Sequence, residues 1–104
     1  MGILENVVLT VLMIGNTHYV DVNQSADAII YYPSETVAHM TLPGQAPLKG
    51  TVTMQSGGYH VAWEEGPAGD WKIRYEAGTF TYVGPDGEDA GTITKIVPGN
   101  PEGY

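Results

Sequence analysis

The sequence predicts a mainly β protein, an eight-stranded antiparallel up-and-down barrel behind a short N-terminal helix. Three observations carry this. From Thr17 onward, β-prone segments recur about every ten residues. Each is followed by glycine, proline, asparagine, aspartate or serine, the residues that make tight turns. Within most segments, large apolar side chains take alternate positions, as they do on a strand with one buried face.

The elements follow in order. Ile3 to Ile14 is the longest apolar run. In it Ile3, Leu4, Val7, Val8, Val11 and Leu12 recur at helical spacing and define a stripe expected to bury against either the barrel or a partner chain, while Leu9 and Met13 fall off it. Gly15 and Asn16 supply the residue types that end helices. The strands are then expected at His18 to Val22, Ala28 to Tyr32, Val37 to Leu42 and Leu48 to Gln55, followed by Tyr59 to Glu64, Trp71 to Glu76, Thr79 to Val83 and Gly91 to Val97. Short links join neighbours, so a meander is the economical topology, and closing it removes exposed sheet edges. One domain over 1–104 is expected, with the helix in 1–15, the barrel in 16–97 and a polar tail in 98–104.

Alternation assigns the faces. Tyr59, Val61 and Trp63 share one side, against His60, Ala62 and Glu64. Trp71, Ile73 and Tyr75 oppose Lys72, Arg74 and Glu76, and Phe80 and Tyr82 oppose Thr79 and Thr81. Ala38, Met40 and Leu42 point inward, leaving His39 outside. His18 shares an inward face with Val20 and Val22, the one histidine so placed. Either Tyr31 or Tyr32 joins the interior ring set.

Composition narrows the function. Twelve acids against four bases give a net charge of −8, which disfavours nucleic acid and anionic membrane surfaces as partners. The chain has no cysteine, so disulfides, thiolate catalysis and thiolate zinc sites are excluded, and a cytoplasmic location is the expectation. No pair of histidines has ligand spacing, and neither a metal nor a cofactor is expected. Asp86-Gly87-Glu88-Asp89 lacks the ligand pattern of a calcium loop and reads as a hairpin turn after Pro85. Glu64 and Glu65 are adjacent, so a strand sends them to opposite faces and they do not form an acid and base pair. No serine sits in a nucleophile elbow, and no glycine loop precedes a helix to cradle phosphate.

The stretches Gly58-Tyr59-His60-Val61-Ala62-Trp63-Glu64-Glu65, Gly78-Thr79-Phe80-Thr81-Tyr82 and Gly91-Thr92-Ile93-Thr94, with Gly50-Thr51-Val52 before them, resemble the small MoaF-like proteins. The resemblance covers roughly the second half of the chain. It implies a lipocalin-like (calycin) barrel and brings no catalytic residues with it.

The functional expectation is a barrel that binds a small apolar or aromatic molecule, with His18, Tyr59, Trp63, Trp71, Tyr75 and Tyr82 as the binding residues. Two alternatives stand beside it. One is a cofactor-independent lyase, isomerase or cyclase in which His18 or a tyrosine moves a proton. The other is an interaction module that forms a homodimer through the N-terminal helix.

Overall fold

A computed structural model of the chain describes residues 2–3, 6–22, 26–64 and 68–104. It opens with a two-residue strand β1 (Gly2–Ile3) and a helix α1 (Asn6–Met13). Eight strands follow: β2 (Asn16–Asp21), β3 (Ala28–Ser34), β4 (Val37–Thr41), β5 (Leu48–Gln55), β6 (Gly58–Trp63), β7 (Gly69–Glu76), β8 (Thr79–Val83) and β9 (Asp89–Pro98). Each pairs antiparallel with the next, and β9 returns to β2 with His18 opposite Ile96, closing an eight-strand barrel. The expected fold class is therefore the observed one. The expected turn at Asn23, Gln24 and Ser25 lies outside the described residues, as do Leu4, Glu65, Gly66 and Pro67.

Turn chemistry sets the hairpins. Ala77 (φ 51°) and Gly78 (φ 80°) are both left-handed, the two-residue turn whose twist matches the flanking strands. At the other end of the barrel, the Gln45 amide donates to the Leu42 carbonyl at 3.0 Å around Pro43 and Gly44. The Asp86 carboxylate accepts the Glu88 amide at 3.0 Å, so it is spent on its own turn.

The helix corrects the sequence reading in two ways. It starts at Asn6, because Gly2 and Ile3 are drawn into a ladder with β7, opposite Tyr75 and Arg74. β6 begins only at Gly58 and pairs with β7 as far as Trp71, so β1 continues that edge. The buried face is also different. Leu9 and Met13 are wholly buried and Leu12 partly so, whereas Val7 and Val11 are 79% and 73% exposed and Val8 is half exposed. Apart from Asn6 and Thr10 the helix is apolar, so valines and leucines stand on opposite sides and periodicity does not choose between them. Its rotation is set by its tethers, β1 before it and the Ile14–Tyr32 bridge after it.

So oriented, the helix plugs one end of the barrel. The starts of β2, β4, β6 and β8 lie there with the ends of β3, β5, β7 and β9. Full burial of Leu9 and Met13 contributes roughly 1.5–3 kcal/mol each, and this packing supports a helix too short to persist alone. The Asn16 side-chain amide donates to the Val11 and Leu12 carbonyls at 3.1 and 2.9 Å, satisfying the helix C-terminus.

The segment after β9 is built into the fold. The Gly99 amide donates to the Gly15 carbonyl at 2.7 Å, and Tyr19 donates to Glu102 at 2.5 Å. The Tyr104 ring stacks on His39, which in turn stacks on Tyr31, along the outside of β3 and β4.

Candidate ligand cavity

The ends of β2, β4, β6 and β8 and the starts of β3, β5, β7 and β9 lie at the end opposite the helix. That end opens into a cavity of about 550 Å³. Val22, Leu42, Gln45, Ala68 and Pro85 stand at its mouth, and Val20, Ile30, Met40, Leu48, Val61, Trp63 and Trp71 form its walls. No charged side chain lines it among the described residues.

Trp63 has its place because of a glycine. Gly50 lies opposite Trp63 on the neighbouring strand, and the indole rests on its bare backbone. A Cβ at Gly50 would come within 2.7 Å of the indole ring and 2.9 Å of Val61. Gly50 is thus a seat for the ring, and any side chain there would drive Trp63 toward the cavity.

Below the walls, Tyr32, Tyr59 and Tyr82 reach inward from β3, β6 and β8, all nearly fully buried. Their hydroxyls meet: Tyr32 lies 2.9 Å from Tyr59 and 2.9 Å from Tyr82. Between this tyrosine layer and the helix lies His18, wholly buried, with Nδ1 2.5 Å from the Tyr82 hydroxyl and Nε2 2.8 Å from the Leu12 carbonyl. The tyrosines are the floor of the cavity, and His18 joins that floor to the plug.

The proton positions along this chain follow from its ends. A carbonyl only accepts, so Nε2 carries the hydrogen and donates to Leu12. Burial holds the His18 pKa down to about 4 from its ordinary 6.5, although the Leu12 carbonyl pulls the other way, so the ring is neutral and Nδ1 is bare. Tyr82 therefore donates to Nδ1. Its oxygen is then free only to accept, so it takes the hydrogen of Tyr32 or of Tyr59, both of which bond to it, and the other of the pair donates to its neighbour. Every hydroxyl hydrogen is used, and all run toward the helix. Burial raises the pKa values of all three tyrosines well above the ordinary 10, so the chain is uncharged throughout. Among the described residues no buried side-chain polar atom lacks a partner.

Against the six residues expected from sequence, Tyr59, Trp63, Trp71 and Tyr82 line the cavity together. His18 lies behind the floor rather than on it. Tyr75 does not line the cavity: it sits toward the plugged end, paired with Phe80, the two ring centroids 4.8 Å apart. Alternation assigns a face but not a depth, and Tyr75 is two residues further along β7 than Ile73. Tyr32 is the member that sequence left undecided. Its parity with Ala28 and Ile30 was the available signal, since all three point inward. His39 and His60 lie outside the barrel, His60 bonded to Asp70 at 2.8 Å.

No helix among the described residues is long and apolar enough to cross a membrane. Comparison with family models, curated proteins and solved structures found no match to the chain.

Proposed function

We propose that the protein binds one small, uncharged, apolar or aromatic molecule inside the barrel. A single observation carries this reading: an eight-strand barrel has room to be filled by its own side chains, and among the described residues this one is filled only at the helix end. The remainder is a cavity of about 550 Å³ with aliphatic and indole walls and a few hydroxyls at one end, the makeup of small-molecule sites generally. A lipocalin-like relationship through the MoaF-like resemblance belongs to the same proposal, supported by the strand count and meander order. The proton-moving alternative is weaker, since His18 is held neutral and the tyrosines are held protonated near neutral pH.

Trp63 and Trp71 serve as reporters. Titration with N-phenyl-1-naphthylamine, a neutral aromatic probe, is expected to quench tryptophan emission saturably. Leu42→Trp, which adds an indole at the mouth, is expected to abolish the response while keeping the native circular dichroism. Emission that stays flat in the unmodified protein would overturn the reading.

One observation favours a second reading, a homodimer through the helix: Val7, Val8 and Val11 form an exposed apolar face. Sedimentation of a monomer at millimolar concentration would end it.

A further inference from the structure

The direction of the hydroxyl chain has a consequence for what the cavity accepts, which rests on the binding function just proposed. Because the helix-end carbonyl of Leu12 takes the Nε2 hydrogen, Tyr82, Tyr32 and Tyr59 must all point their hydrogens away from the ligand space and toward His18. What remains on the floor is oxygen lone pairs. Tyr32 and Tyr59 bond to one another and each also bonds to Tyr82, so one of these two heads the chain with both of its lone pairs open. The other two hydroxyls each accept one hydrogen already and keep one lone pair.

We infer that the cavity selects a ligand whose buried polar end donates a hydrogen bond, such as an alcohol, a phenol or an N–H group, with the Tyr32–Tyr59 hydroxyl pair as the receiving oxygens. A donor adds a bond to a network that keeps all of its own. An ether or ketone offers only lone pairs to lone pairs, and can be satisfied only if the hydroxyl that heads the chain turns its hydrogen away from its neighbour, which replaces one bond with another. A carboxylate fares worse still. No cationic side chain lines the cavity among the described residues to offset its lost hydration, and the chain carries a net charge of −8.

Unmet acceptors cost less than unmet donors, and the chain leaves only acceptors unmet. The helix plug thus does two things: it closes the barrel, and through Leu12 and His18 it sets the polarity of the ligand end.

The test uses three probes that share one ring system: 2-naphthol, its methyl ether and 2-naphthoate, titrated into the full chain by calorimetry. The naphthol is expected to bind about ten-fold or more tighter than the ether, the ratio that one net hydrogen bond gives, even though the ether carries an extra methyl group. The naphthoate is expected to bind weakest of the three. In the Tyr32→Phe/Tyr59→Phe double variant the ratio of naphthol to ether is expected to fall toward one. Equal affinity for naphthol and ether, or tighter binding of the ether or the naphthoate, would overturn the inference and leave the binding function standing. Failure of all three probes to bind would overturn the binding function, and this inference with it. An unchanged preference in the double variant would refute the assignment to that pair. Should the double variant fail to fold, nitrogen chemical shifts of the His18 ring decide the polarity without a variant: hydrogen on Nε2 supports it, and hydrogen on Nδ1 refutes it.

Discussion

Acid should loosen this fold through His18, and the size of the effect can be worked out. In the unfolded chain the imidazole takes up its proton near pH 6.5, but in the barrel burial defers this to about pH 4. Between those values the unfolded state binds a proton that the native state does not, so stability falls as pH falls. Above pH 6.5 both states are neutral and nothing is lost. A displacement from 6.5 to about 4, at about 1.4 kcal/mol for each pH unit, removes about 3 kcal/mol of stability across the window. With an m-value of about 1.5 kcal/mol/M in urea, the unfolding midpoint should drop by about 2 M. The assay is urea unfolding at half-unit pH steps, on the native chain and on His18→Gln. That variant removes the titrating ring but keeps a side-chain amide able to donate toward Leu12. Every other ionisable group is common to both proteins, so the difference between the two slopes isolates His18. The expected difference approaches 1.4 kcal/mol per pH unit inside the window and vanishes above it. Parallel curves for the two proteins would refute the reasoning, as would an imidazole carbon shift that titrates near pH 6.5 in the folded state.

Two further outcomes test the packing. Met13→Ala should cost about 2–5 kcal/mol, because Met13 is fully buried in the plug, whereas Val11→Ser should stay within about 0.5 kcal/mol, and thermal unfolding of both variants separates the two faces of the helix. Ala77→Asn should stabilise the β7–β8 hairpin by about 1 kcal/mol, since asparagine tolerates a φ of 51° better than alanine does, and should raise the melting temperature by about 4–8 °C.

Much of the barrel was legible before any coordinates. Its strands are bounded to within two residues because Gly, Pro, Asn and Asp stand at most reversals, and turn chemistry is a local property; the β3–β4 turn, Glu35 and Thr36, is the exception, with Pro33 inside β3. The inward sets on β4 and β6 follow from period two, as Ala38, Met40, Tyr59 and Val61 show. The segment after β9 reads only as a polar tail, and its bonds to Gly15, Tyr19 and Thr41 come from the fold. Those partners are distant in the chain, and composition does not record them.

The helix marks the boundary most sharply. Sequence alone determined that a mostly apolar helix, interrupted by Asn6 and Thr10, would lie between Ile3 and Ile14 and would end at Gly15. It did not determine which side of that helix would be buried, because both sides are apolar and only the tethers at β1 and Ile14 decide between them. The same holds for the interior. Alternation placed His18, Tyr59 and Tyr82 on inward faces, a matter of strand geometry that each segment carries in itself. That these side chains, with Tyr32, meet in one chain of hydrogen bonds depends on the register of four strands around a closed barrel and on a helix-end carbonyl. So does the empty space above them, which is a property of depth along the barrel axis, and no single strand encodes depth.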